Sequence, residues 1–204
     1  MALLANFRNT MLLSLVLAAI MIFAYGMHSA NGFDRQFWEA FFRWVHVFFG
    51  ILWIGLLYYF NFVQIRTMPA IPAELKPAVS KYIAPEALFW FRWASLFTVL
   101  AGLVLATLRG YLAEVLTFGA AHGFDRRADM SHALMGVGIW LAIIMFLNVW
   151  GLIWPNQKRA LGIVPADDAT KAKAAKTAMM GSRINLLLSL PMLVSMTMNQ
   201  TIFG

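Results

Sequence analysis

Two short stretches carry residues that could do chemistry inside an otherwise apolar chain. Residues 46–50 read HVFFG and residues 132–136 read HALMG. Each pairs a histidine with a glycine four positions on, and in a helix those two positions share one face. An imidazole is costly in lipid unless it has a partner. A glycine beside it leaves room for a flat ring to approach the backbone. Imidazole as axial ligand and glycine as the opening are the parts needed to hold a b-type haem between two helices. On this reading His46 and His132 are the metal ligands and Gly50 and Gly136 admit the porphyrin. Arg43, one turn before His46, is placed to pair with a propionate. The plainer alternative is that the glycines serve helix packing through small-xxx-small contacts and that the histidines are interfacial. His28 and His122 fall in loops on the same side. A metal site without haem lacks a further acidic or histidine ligand in the spans.

The elements that must position these residues are membrane helices. Of 204 residues, 61% are hydrophobic and 12% charged, and the mean hydropathy is +0.71. No soluble domain of this size hides that much apolar surface, so the chain is read as a single all-α membrane domain over 1–204. Apolar runs long enough to cross about 30 Å of hydrocarbon lie at 9–28, 38–64, 86–109, 131–154 and 183–203. The first resembles a signal peptide, with Arg8 ahead of an apolar stretch, but is read as a retained first span. Pro191 is expected to kink the fifth. Residues 166–180 read as a separate short helix, with Asp at its start and Lys later, as the helix dipole favours.

The loop charges set an orientation. Lys and Arg dominate after the second span (Arg66, Lys76, Lys81) and after the fourth (Lys158, Arg159, Lys171, Lys173, Lys176). The positive-inside rule then puts the N-terminus in the cytoplasm and the C-terminus outside, in a multi-pass protein of the bacterial inner membrane. Both histidines fall towards the outer face. The net charge of +7 is scattered over these loops and does not point to nucleic acid. With no cysteine there is no disulfide and no covalently attached haem.

Polar residues also gather towards the cytoplasmic end. Arg92, Asn148, Arg183 and Asn185 could hold a flat, carbonyl-rich or anionic small molecule, a quinone or an oxidised purine alike. Alternatively they satisfy one another and specify packing. The tryptophans are read as an aromatic belt at the span ends.

The segments RWVHVFFGILWIGLLYYFNFVQ, PEALFWFRWASLFTVLAGLVL, NVWGLIWPNQKRAL and SRINLLLSLPMLVSMTMNQ resemble, in order, the membrane domain of the bacterial membrane-bound urate oxidase (urate hydroxylase) family, over about 38–200. The first also resembles small haem-binding membrane proteins such as bacterial protoporphyrinogen oxidase. The resemblance implies a membrane oxidoreductase or electron carrier, with His46, Asn148, Pro155, Asn156, Gln157, Arg183, Asn185 and Pro191 at family-pattern positions. The chain departs from that pattern in lacking a cytochrome c domain, in a compact connection between spans three and four, and in Asn199-Gln200 where the family tends to Asn-His. The expectation is therefore a haem b electron-transfer protein, with electron transfer ahead of urate oxidation. Its partners would be the lipid bilayer and a c-type cytochrome or a quinone. The alternative is a non-catalytic accessory subunit that packs against other membrane subunits. A transporter would want broken helices near the midplane, to which only Pro191 hints.

Overall fold

The computed structural model describes residues 2–120 and 126–203, with side chains described over 3–120 and 130–203. The described residues form helices and no strands. Five helices are long and apolar enough to cross a membrane. These are α1 (Phe7–His28), α2 (Arg35–Ala70), α3 (Lys76–Leu108), α5 (Met130–Ala160) and α6 (Asp168–Phe203). Between α3 and α5 lies the short helix α4 (Leu112–Leu116). The described residues are thus all-helical, with the five long apolar helices of a multi-pass arrangement.

Local chemistry fixes the ends. Asn6 accepts from the amides of Arg8 and Asn9 to start α1, and Asp34 accepts from Phe37 to start α2. Each satisfies amides that lack partners inside the first turn. Residues 166–180 do not make a helix of their own. Asp167 caps α6, which then runs without interruption through Lys171 and the membrane-length segment to Phe203. The Ala-rich sequence there offers no stop signal, and Gly181 is held inside the helix by close packing. Pro191 does not end the helix either.

Three of the long helices change register once. Residues Tyr59–Gln64, Val79–Ile83 and Val149–Ile153 are π-helical. The last two stop two residues short of Pro85 and Pro155. A proline ring collides with the carbonyl four residues earlier, and a wider turn relieves that collision.

Helix α2 packs along α3, and α5 along α6; the two pairs close into a four-helix bundle with α1 at its edge. Trp53, Leu57, Phe91, Met145, Val149 and Ile153 fill the centre and are essentially inaccessible. Trp53 therefore belongs to the core and not to an aromatic belt, since its position on α2 faces α3. Helix α1 touches the bundle mainly where Gly26 meets the ring of Phe33, so close that any Cβ there would collide with it.

Small residues set the α5–α6 distance. A Cβ on Gly138 would run into Ser195 of α6, whose hydroxyl donates to the Leu134 carbonyl at 2.6 Å. We expect Gly138→Leu to destabilise the bundle by about 1–3 kcal/mol, the usual cost of overpacking. Gly55→Leu, with nothing within 4 Å of its Cβ, is expected to be near neutral. Unfolding by a denaturing detergent measures both. A second expectation concerns Asp167, whose carboxyl is held below the usual carboxylate range by hydrogen bonds from the Thr170 amide and then the Thr170 hydroxyl. The cap is complete above the ordinary carboxylate value of about 3.9 and is lost as pH falls through the lower folded value. Amide exchange at Thr170 should accelerate on that acidification, and Asp167→Ala should remove the dependence.

Candidate functional site at the histidine end

His46 lies part-buried on α2, and its Nδ1 is 2.8 Å from the carbonyl oxygen of Thr98 on α3. A carbonyl can only accept, so Nδ1 carries the hydrogen and Nε2 is the free, basic nitrogen. The ring lies against Gly102, where an added Cβ would sit 2.9 Å from Nδ1. The glycine that the imidazole packs against is thus Gly102 of the neighbouring helix. A Cβ at Gly50 would make ordinary contact with Thr98 Cγ2 at 3.7 Å. Gly136 is taken up by packing. A Cβ there would meet the Val115 carbonyl of α4 and would sit 3.2 Å from the Phe118 ring, so no space is left beside it for a flat ligand. The i, i+4 spacing described each helix alone, whereas neighbouring helices decide what fills the space beside a glycine.

The two histidines lie towards the same end of the bundle. Tyr58 on α2 and Ser189 on α6 are joined at 3.2 Å. Climbing about 18 Å along α2 from Tyr58, at 1.5 Å per residue, reaches His46. The same climb along α6 reaches the neighbourhood of Asn199, which donates to the Ser131 carbonyl at 2.8 Å. His132 is the next residue on α5.

At that end a polar cavity of about 380 Å³ is lined by Arg43, Arg109, Tyr111, His132, Asn199 and Gln200, among others. His46 does not line it, but lies one turn deeper than Arg43 on the same helix. Arg109 pairs with Glu39 at 3.4 Å, and Glu39 also pairs with Arg35 at 3.3 Å. The Nε of Arg43 is buried and has no hydrogen-bond partner among the described residues. A guanidinium N–H in that position can donate to an anion. The ring of His132 packs against Tyr111, with centroids 5.9 Å apart. Sequence reasoning missed Arg109, Tyr111 and Gly102. The first two sit at a span end where polar residues are ordinary, and Gly102 is one small residue among several in α3. Gln200, a position of departure from the family pattern, turns out to line the cavity. His28 bonds its own helix, to the Ala24 carbonyl at 2.9 Å, and His122 lies outside the described residues.

The residues predicted for the opposite end do not converge. Asn148 donates to the Asn185 side chain at 2.7 Å and to the Gly181 carbonyl at 2.8 Å. Asn185 donates to the Met145 carbonyl at 3.1 Å. These amides tie α5 to α6, as the packing alternative expects. Arg183 is exposed on another face of α6. Arg92 lies over the Trp154 ring, 3.6 Å from its centroid, with Trp150 and Phe89 at 5.7 Å and 6.0 Å. Replacing Trp154 with Leu should therefore cost about 0.5–2 kcal/mol of stability, and Arg92→Met in that background should cost little more. A double-mutant cycle in detergent checks the coupling.

Among known proteins, no curated protein and no solved structure matches the chain. A family model described as urate oxidase N-terminal matches residues 103–203. That stretch includes His132, the Asn148–Asn185 pair and Gln200, while His46 and Arg43 precede it. Over α4, α5 and α6 together with the last turns of α3, just under half of the chain, the sequence is similar to the urate oxidase N-terminal family.

Proposed function

We propose that the protein is a redox component of the bacterial inner membrane that binds a b-type haem at the histidine end. The observation that carries this reading is the His46–Thr98 hydrogen bond. A ligating histidine characteristically donates its other ring nitrogen to a carbonyl or carboxylate, which fixes its tautomer and orientation. His46 is held in that way before any metal is bound. Two neighbouring features support the reading. Arg43 offers a buried guanidinium nitrogen without a partner among the described residues. His132 and Arg109 line a cavity at the same end.

His46 and His132 would hold the iron, and Arg43 and Arg109 would offer positive charge to the haem carboxylates. When bound, the haem supplies one-electron chemistry at a potential set by its ligands and burial. The polypeptide holds both imidazoles towards one end of the bundle, keeps His46 in the Nδ1-protonated form, and places positive charge where carboxylates arrive. The family relation supports an oxidoreductase lineage. Transfer of electrons to a c-type cytochrome or a quinone ranks ahead of urate oxidation as the activity. The loop charges support a cytoplasmic N-terminus.

The optical spectrum of the purified full chain tests the proposal. Two axial histidines give a sharp reduced α-band. His46→Ala should abolish it, and His132→Ala should convert it to the broad spectrum of a single-histidine site. Gly102→Ala leaves both histidines in the chain but presses on the His46 ring, so haem retention should fall roughly 10–100-fold, as for other supporting-shell changes. A colourless, iron-free preparation from haem-replete cells would overturn the reading.

A further inference from the structure

A second cavity, of about 170 Å³, lies at the other end of the bundle. Leu88 and Ile153 contribute apolar wall, Phe60 and Phe91 aromatic wall, and Gln64 and Ser182 polar groups. The Phe60 and Phe91 rings meet edge-on, 5.7 Å between centroids. An apolar cavity of about 150 Å³ holds one benzene ring. This one therefore has room for a single six-membered ring with small substituents and none for a macrocycle.

The polar groups define what such a ring must carry. Asn61 is fully buried beside the cavity. Its Nδ2 donates to the Leu57 carbonyl at 2.9 Å and to Ser182 Oγ at 2.8 Å. Both amide hydrogens are used, so the orientation is fixed and Oδ1 is an acceptor. Neither Asn61 Oδ1 nor Gln64 Oε1 has a partner among the described residues, although both are buried. Buried acceptors of this kind call for a donor. The helices also give way here. The π-helical turn Tyr59–Gln64 supplies Phe60 and Gln64, and the turn Val149–Ile153 supplies Ile153. Such turns recur where a helix has been adapted to a ligand.

We propose that this cavity binds the head group of a quinol, a single ring with one hydroxyl donating to Gln64 Oε1 and its apolar edge packed against Phe60 and Phe91. The apolar walls and the membrane-length helices around them favour a ring that arrives dissolved in lipid over a water-borne heterocycle. The proposal concerns binding alone and stands whether or not the histidine end carries haem.

The test uses the full chain in lipid nanodiscs, photolabelled with a benzoquinol that carries a diazirine on a short alkyl tail. The expected label falls on peptides spanning 60–65 and 175–182. Unlabelled decylbenzoquinol should compete it away roughly fivefold more effectively than the oxidised quinone, which has no hydroxyl to donate. Gln64→Met keeps the volume and removes the acceptor. Ala175→Phe, at an exposed position on the cavity rim, fills the opening. Each should cut the competed label roughly five- to tenfold, with the His46-dependent spectrum unchanged. Label confined to lipid-facing residues such as Leu187 would overturn the proposal. So would equal competition by both redox forms, or label indifferent to Ala175→Phe.

Discussion

Helices in lipid gain little by burying apolar surface against one another, because the hydrocarbon they leave is as apolar as the one they enter. What sets their arrangement is close packing and the need of each buried polar group for a partner. The contacts among Asn148, Asn185, Gly181 and Met145 meet that need for α5 and α6. Asn61 and Ser182 meet it between α2 and α6. A single interhelical hydrogen bond of this kind contributes about 0.6 kcal/mol, so no one of them holds the bundle. Their joint effect is to fix the rotation and height of each helix. That in turn places His46 and His132 towards one end of the bundle and the two cavities at opposite ends.

Both ends leave buried polar atoms without a described partner: Arg43 Nε at the histidine end, and Asn61 Oδ1, Gln64 Oε1 and Arg92 Nη1 at the other. In the π–cation stack of Arg92 on Trp154, a charge inside a span is met by an aromatic face with no ligand at all.

Much of the fold was legible in the sequence because lipid imposes a length. Five apolar runs became five membrane-length helices, with ends extended by several turns where polar residues continued the helix past the apolar segment. The separate helix expected at 166–180 was lost for that reason. The site was legible only in part. His46 and Arg43 stood out as polar residues in an apolar run. Their spacing to Gly50 was not informative, because the ring turns towards Gly102, more than fifty positions away. Gly136 was misleading for the same cause, its neighbour being the backbone of α4. Contacts across helices leave no short-range trace, and neither does the choice of an amide to bond another amide in place of a ligand.

The π-helical turns ahead of Pro85 and Pro155 carry a consequence for the length of the chain. Each α-helical residue advances the side-chain direction by about 100°, since 3.6 residues make one turn. A π turn absorbs one additional residue without advancing the rise of the helix in proportion. Residues after Ile153 are therefore out of phase with those before Asn148. That offset is what lets Met145 and Ile153 face the core while Trp154 reaches Arg92 and Gln157 reaches the cavity beyond. Loss of one residue between 149 and 153 would leave the helix able to form and long enough to cross a membrane. It would turn the π segment back into a plain α turn, with Trp154 and Gln157 still facing as they do, but the collision of Pro155 with the carbonyl four residues earlier would return. In this segment the number of residues is as much a part of the structure as their identity.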